Sequence, residues 1–189
     1  MKSVVDLLFE ARSLKDLIRS GYRHLGCGDE SVAEHVYGTT FIAYVMSRLE
    51  PDADPMKLLA MCLVHDLPEA RLGDMNHLQK FYVTTDEPEA VADMTRELPF
   101  GAELADLIEE FNSGSTLEAK LAHDADQLSL ILELKSLSDL GHRGPDDWIR
   151  NARRRLRTAL GRRLCDSVLE GHRDHWWRQK FVDKRNQSH

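Results

Sequence analysis

The chain has no apolar run approaching the ~20 residues needed to span a bilayer, so no membrane segment is expected. Cysteine is scarce. Cys27, Cys62 and Cys165 lie far apart and form no C-x-x-C pair, which argues against a zinc-thiolate site and a disulfide framework and fits a reducing cytoplasm. The opening, Met1 to Glu10, carries Lys2, Asp6 and Glu10, so no signal peptide is expected there. Repeats, low-complexity tracts and long linkers are missing as well. Nowhere does a Val-, Ile- or Thr-rich alternation of apolar and polar residues sit between turn signals, which excludes recognisable strands. A surplus of positive charge is also lacking. The net charge of −7 disfavours nucleic-acid binding by the whole surface. One segment departs from this, with Arg150, Arg153, Arg154, Arg155, Arg157, Arg162 and Arg163 close together. It reads either as a solvated helix face or as a surface for an anionic partner.

What remains is helical period. At 189 residues the chain can bury a core in one compact domain, expected over 1–181 with a polar, fraying tail over 182–189. A first helix is expected from Ser3 to Ile18, broken at Gly21, and a loop with Gly26 and Gly28 follows. Ser31-Val-Ala-Glu34 reads as a capping box. The helix it opens carries an apolar stripe through Val32, Val36, Thr39, Ala43, Met46 and Leu49. Asp54-Pro55 starts the next helix, because proline at the first helical position loses an N–H that has no partner anyway. That helix ends near Asp66, since Pro68 disfavours helical angles at Leu67. A loop or short helix is expected over Glu69 to Tyr82, then helices from Glu87-Pro88 and over Ala102 to Phe111. Ser115-Thr-Leu-Glu118 reads as a second capping box, opening a long helix to about Leu140. The last helices are expected over Asp146 to Leu160 and Arg162 to Trp177, with Trp148, Trp176 and Trp177 contributing to a late core or to an interface. The fold class is all-α.

Nine histidines are present, and His24, His142, His172, His175 and His189 sit in polar or loop contexts that suit a surface. His35 lies instead on the apolar stripe of its helix. By itself it reads as a core residue. His65-Asp66 ends the apolar run from Leu58 to Val64, where an aspartate requires a cation, a cluster of donors or exposure. An imidazole beside a carboxylate at a helix end supplies the mixed N and O donors that suit Zn, Mn, Fe or Co. Glu69 and Asp74 follow closely, either as acids decorating a helix exit or as groups that position water and substrate. A further ligand can come from His123-Asp124-Ala-Asp126 on the long helix. Asp124 shares a stripe with Leu121, Leu128 and Leu132, while Asp126 lies on another side with Leu130, Leu134 and Leu137. A helix apolar on two faces is central to the fold, and spacing alone leaves both aspartates open.

The series Glu30-Ser-Val-Ala-Glu-His35, Leu63-Val-His-Asp-Leu-Pro-Glu69, Gly73-Asp74 and Ala125-Asp126-Gln-Leu128 resembles the HD-domain superfamily, and within it the 5′-deoxynucleotidase branch. The resemblance runs from about Leu14 to Leu140. It implies an all-helical bundle in which His35, His65, Asp66 and Asp126 bind one divalent ion, which selects Asp126 of the two aspartates; Co, Mn, Fe, Zn and Mg all remain eligible. It implies that Glu69 orients and activates the attacking water and that Asp74 meets the sugar hydroxyl or assists proton transfer. Arg19 matches the family's phosphate-binding arginine. Tyr22 stands roughly where the family has a tryptophan against the sugar, a departure that bears on any preference for deoxyribose. The implied activity is hydrolysis of (deoxy)nucleoside 5′-monophosphates by a homodimer. Hydrolysis of a nucleoside triphosphate or cyclic nucleotide, and a non-catalytic nucleotide sensor, are the alternatives. Phosphomonoester hydrolysis is among the slowest uncatalysed reactions, needing up to ~10²¹-fold acceleration. A cation-binding pocket lined with acids and an arginine has the parts to address that barrier.

Overall fold

The computed structural model describes residues 1–186. These form helices α1 (Lys2–Ser13), α2 (Tyr22–Leu25), α3 (Val32–Leu49), α4 (Pro55–Val64), α5 (Glu69–Leu72), α6 (Glu87–Thr95), α7 (Gly101–Ser113), α8 (Leu117–Asp139), α9 (Pro145–Arg155), α10 (Ala159–Glu170) and α11 (His175–Asn186), with a 3₁₀ turn over Gln79–Phe81. The all-α class holds. No strand or sheet occurs among the described residues; one isolated antiparallel bridge joins Ile18 to Ser31.

α8 is the axis, packed against α3, α4, α7, α9 and α10. Its buried residues circle the helix, from Leu121, Ala122 and Ala125 to Leu128, Ile131 and Leu134, as expected of a helix covered on several sides. One apolar cluster joins α8 to Met46, Leu58 and Met61 and to Leu156, Leu160 and Cys165. A second lies under α1, α6 and α7 around Val32, Val36, Met94 and Ile108. The two helix starts singled out first are as expected. Ser31 Oγ accepts from Glu34 N at 3.2 Å and Glu34 Oε2 accepts from Ser31 N at 2.7 Å. Asp54 Oδ1 accepts from Met56 N and Lys57 N ahead of Pro55.

Four boundaries differ from expectation, each because a tertiary contact outbids local pattern. α1 stops at Ser13, since the carbonyls of Leu14 and Leu17 accept from Ala33 N and Val32 N, and a strap that turns over 14–16 and bridges Ser31 at Ile18 replaces the helix. The long helix is capped by Thr116, whose Oγ1 accepts from Ala119 N. Glu118, expected to close a capping box, instead accepts from Asp54 N. The helix expected to reach Leu160 breaks after Arg155, where Asp124 captures the next backbone amides. The helix expected over Arg162 to Trp177 is split after Glu170, where Arg173 N donates to Asp139 Oδ2 at 2.9 Å, which separates α10 from α11. Trp176 is 77% exposed and Trp177 39%, so neither joins a core. Of the segment expected to fray, 187–189 lie outside the described residues, and the backbone before them is helical to Asn186.

Candidate metal centre

Four side chains from three helices converge beside α8. His35 comes from the first third of α3 and is fully buried. His65 caps the C-terminus of α4 with helical angles, and Asp66 follows it into the turn. Asp126 projects from mid-α8. His35 Nε2 lies 2.9 Å from Asp126 Oδ1 and 3.9 Å from Asp66 Oδ2, and His65 Nε2 lies 3.2 Å from Asp66 Oδ2. One donor atom each from His35, His65 and Asp126 falls within 4.8 Å of the others.

Neighbours fix the orientation of these groups. His65 Nδ1 donates to the Cys62 carbonyl at 2.8 Å, which turns Nε2 inward. Phe111 wedges beside it, with ring centres 4.9 Å from His65 and 4.1 Å from His123. Gln127 donates to Asp126 Oδ2 at 2.9 Å. Burial disfavours the His65 cation, but Asp66 beside it and Asp126 beyond outweigh this and hold its pKa up at about 9. Burial likewise opposes charge on Asp126, yet His35 and His65, with Arg19 nearby, keep its carboxyl well below the usual range.

The donor set suits a divalent ion. His65 Nε2, which faces the cluster, is buried without a hydrogen-bond partner, and two carboxylates share the same small volume. Such a concentration of buried acid calls for a cation. Two imidazoles and two carboxylates form a mixed N/O site of the kind Mn, Co, Fe and Zn accept.

Asp124 has a different task. Fully buried, it accepts from Arg157 N, Thr158 N and Thr158 Oγ1 at 2.6 to 2.8 Å. It clamps the turn between α9 and α10 and does not face His35.

A cavity of about 460 Å³ opens from this cluster. Arg19, Tyr22, Glu69 and Asp74 all line it with Asp66 and Asp126, so every site residue expected from sequence borders either the cluster or the cavity. Glu69 Oε2 is buried without a partner. Burial, reinforced by Asp66 and Asp74, pushes its carboxyl up to about 8. Gly73, at φ +76°, takes the left-handed conformation that turns the chain after α5; Asp74 then accepts from Ser20 N. Arg19 is held by the strap, its N–H donating to the Glu30 carbonyl at 2.9 Å and its Nε 3.7 Å from Glu30 Oε2. Tyr22 is 6% exposed, and its hydroxyl donates to the same Glu30 oxygen at 2.9 Å.

Two sets of residues at this site had no site role expected from the sequence. Glu30 stands in the first motif yet revealed no role there; its partners, Arg19, Tyr22 and, at 4.0 Å, His35 Nδ1, are a tertiary fact. Trp148, expected in a late core or an interface, instead lines the cavity together with Asn151 and Arg155. Their i, i+3, i+7 spacing on α9 was legible as one helix face, but the surrounding arginines concealed it.

Comparison with known proteins accords with this geometry. The chain is 32% identical over 151 residues to the human protein named 5′-deoxynucleotidase HDDC2, covering 75% of this chain and 72% of that one. It is likewise 32% identical to the Dictyostelium discoideum protein of the same name, over 64% of this chain and 70% of the relative. A solved structure, a conserved hypothetical protein from Pyrococcus furiosus, superposes with a TM-score of 0.75 at 26% identity, covering 88% of this chain and 99% of its own. The family model described as HD domain matches residues 11–160. The chain belongs to the HD-domain family of metal-dependent phosphohydrolases.

Proposed function

We propose that this protein is a 5′-nucleotidase that hydrolyses (deoxy)nucleoside 5′-monophosphates to nucleoside and phosphate. The observation that carries the reading is the convergence of His35, His65, Asp66 and Asp126 at one end of a cavity that also holds a buried, partnerless Glu69 and an arginine. Relatives named 5′-deoxynucleotidase, about a third identical over most of the chain, support the substrate class.

His35, His65, Asp66 and Asp126 hold one divalent ion, with Mn, Co, Fe, Zn and Mg as candidates. When bound, such an ion offsets phosphate charge and acidifies water. The protein's own groups do the rest. Arg19 donates charged hydrogen bonds to the phosphoryl oxygens and fixes their orientation. Glu69, raised to about 8 by burial and by Asp66 and Asp74 while the site holds no ion, would ionise once a cation offsets the Asp66 charge, and in that form takes a proton from the attacking water. The new P–O bond forms as the bond to the sugar oxygen breaks. Asp74, anchored by Ser20, meets the sugar hydroxyl or assists proton transfer to the departing oxygen. Tyr22 borders the sugar, braced by Glu30.

The working form in this reading is a cytoplasmic homodimer. Free cysteines accord with the compartment, and the exposed aromatic row Tyr37, Phe41 and Tyr44 on α3 accords with a partner copy. Among the described residues no helix is long and apolar enough to cross a membrane.

The test is a screen of phosphate and nucleoside release from mono-, tri- and cyclic nucleotides, with ribose and deoxyribose paired, under Co, Mn and Mg. Turnover confined to 5′-monophosphates is expected. Preferential turnover of triphosphates or cyclic nucleotides would reassign the substrate. Tight binding without turnover under every ion would make the protein a sensor.

A further inference from the structure

The arginine-rich stretch divides once its partners are known. Arg150 pairs with Asp147, Arg153 with Asp166 at 2.6 Å, and Arg162 donates to the Leu156 carbonyl at 3.0 Å. These belong to a solvated surface. Arg155, like Arg157 and Arg163, has no side-chain hydrogen-bond or ion-pair partner among the described residues, but of the seven it is the one that lines the cavity that starts at Asp66 and Asp126. Trp148, Asn151 and Ala152 line the same cavity from the same face of α9. Ile149 and Ala152 are buried, so α9 is anchored against α8 and this face is held in place. The six-membered ring of Trp148 lies against Gly21, where a Cβ would come within 3.3 Å of it. The indole is therefore positioned at the cavity wall by the same segment that carries Arg19 and Tyr22.

We infer that α9 is the base-binding wall of this cavity: the nucleobase lies against Trp148, while Arg155 and Asn151 read its edge. The inference rests on the nucleotide reading above and adds to it a subsite and a selectivity. An indole offers the flat apolar surface on which any base stacks. The polar groups beside it are biased. Arginine has donors only. Asn151 Oδ1 accepts from Arg154, which leaves its amide N–H₂ as the uncommitted group, a donor. A row of donors favours a base edge made of acceptors. Guanine presents O6 and N7 side by side, whereas adenine places an amino group next to N7. The wall thus selects guanine over adenine. The cavity, at about 460 Å³, suits one nucleotide with its phosphate at the acidic end and its base at α9.

The experiment uses nucleosides, the products, which undergo no phosphate hydrolysis. Deoxyguanosine and deoxyadenosine are titrated into Mn-loaded protein while tryptophan fluorescence and calorimetric heat are followed. Deoxyguanosine should quench the fluorescence and bind about tenfold more tightly than deoxyadenosine. In Trp148→Phe, which retains an aromatic surface, binding should persist while the quenching disappears, because Trp176 and Trp177 lie elsewhere. Trp148→Ala should weaken both nucleosides by about tenfold, and Arg155→Gln should bring the two affinities together. Quenching that survives in Trp148→Phe, or a guanine preference unchanged in Arg155→Gln, would overturn the inference, as would wild-type protein that binds neither nucleoside. The two readings fail separately. Hydrolysis of monophosphates with KM unchanged in Trp148→Ala would remove the base wall and leave the nucleotidase. Nucleoside quenching at Trp148 without phosphate release from any nucleotide would do the reverse.

Discussion

At the residue scale the site is a problem in placing charge. Asp66, Glu69, Asp74 and Asp126 all line one cavity, and burial penalises the ionised forms of Asp66, Glu69 and Asp126. The molecule distributes the penalty unequally. Asp66 and Asp126 stay ionised because histidines face them, while Glu69, with no histidine in contact and two acids nearby, stays protonated to about pH 8. Its raised pKa has a definite sign for stability. In metal-stripped protein, Glu69 keeps its proton in the folded state between its ordinary value near 4.5 and about 8, while the unfolded chain has already lost it. The Glu69 contribution is therefore fully present below about pH 4.5 and is lost as pH rises toward 8. Glu69→Gln should remove this slope, so its melting temperature relative to wild type rises between pH 5 and 8. A parallel pair of curves would contradict the assignment. The same variant should lose about 10²- to 10⁴-fold in kcat as the general base disappears, read in a steady-state phosphate-release assay. His65, held near 9, binds a proton at neutral pH that a cation must displace. Calorimetry of Mn binding at pH 7 in buffers of different ionisation enthalpy should reveal proton release. Asp66→Ala should abolish the binding itself.

At the element scale, what matters is how α3, α4 and α8 are held close enough for their side chains to meet. α3 and α8 approach at Gly38, where a Cβ would fall 2.7 Å from Ser129 Oγ. A larger residue there must displace the Ser129 hydroxyl, and a branched one presses the two helices apart, with His35 less than one turn away on α3. Gly38→Val should cost about 1–3 kcal/mol by overpacking and weaken Mn affinity at the same time, seen by paired denaturation and metal titration. Asp124 acts on a different joint. Removing its carboxylate in Asp124→Ala leaves Arg157 N, Thr158 N and the Thr158 hydroxyl without their acceptor, a loss on the order of 3 kcal/mol in urea denaturation. Metal stoichiometry should stay at one, because Asp126, not Asp124, faces the histidines. Two aspartates two residues apart thus hold opposite responsibilities, a distinction that spacing left open and the resemblance resolved only for the ligand. The structural duty of Asp124 was illegible, since its partners lie more than thirty residues away.

On the scale of the whole molecule, a cation would join groups contributed by α3, the end of α4 and α8, so ligand binding and folding are linked. Saturating Mn or Co should raise the melting temperature of wild type and leave that of Asp66→Ala unmoved. Much of this architecture was legible beforehand. The helical class, the capping box at Ser31 and the start at Asp54-Pro55 depend on period and on backbone groups within a few residues, and such short-range preferences survive folding. The early end of α1, the Thr116 cap and the break after Arg155 were not legible, because each backbone or side-chain group found its partner far along the chain. The site divides in the same way. Sequence alone determined which donors exist, on which helices they ride and, through the motif order, which family they belong to. Tertiary structure alone decided that Glu30 braces Arg19 and Tyr22, that Glu69 lies buried without a partner, and that one arginine of a crowded stretch lines the cavity while Arg150 and Arg153 pair at the surface. The physical reason is that helical periodicity is a local property, whereas desolvation and hydrogen-bond partnership depend on whatever the rest of the chain brings alongside.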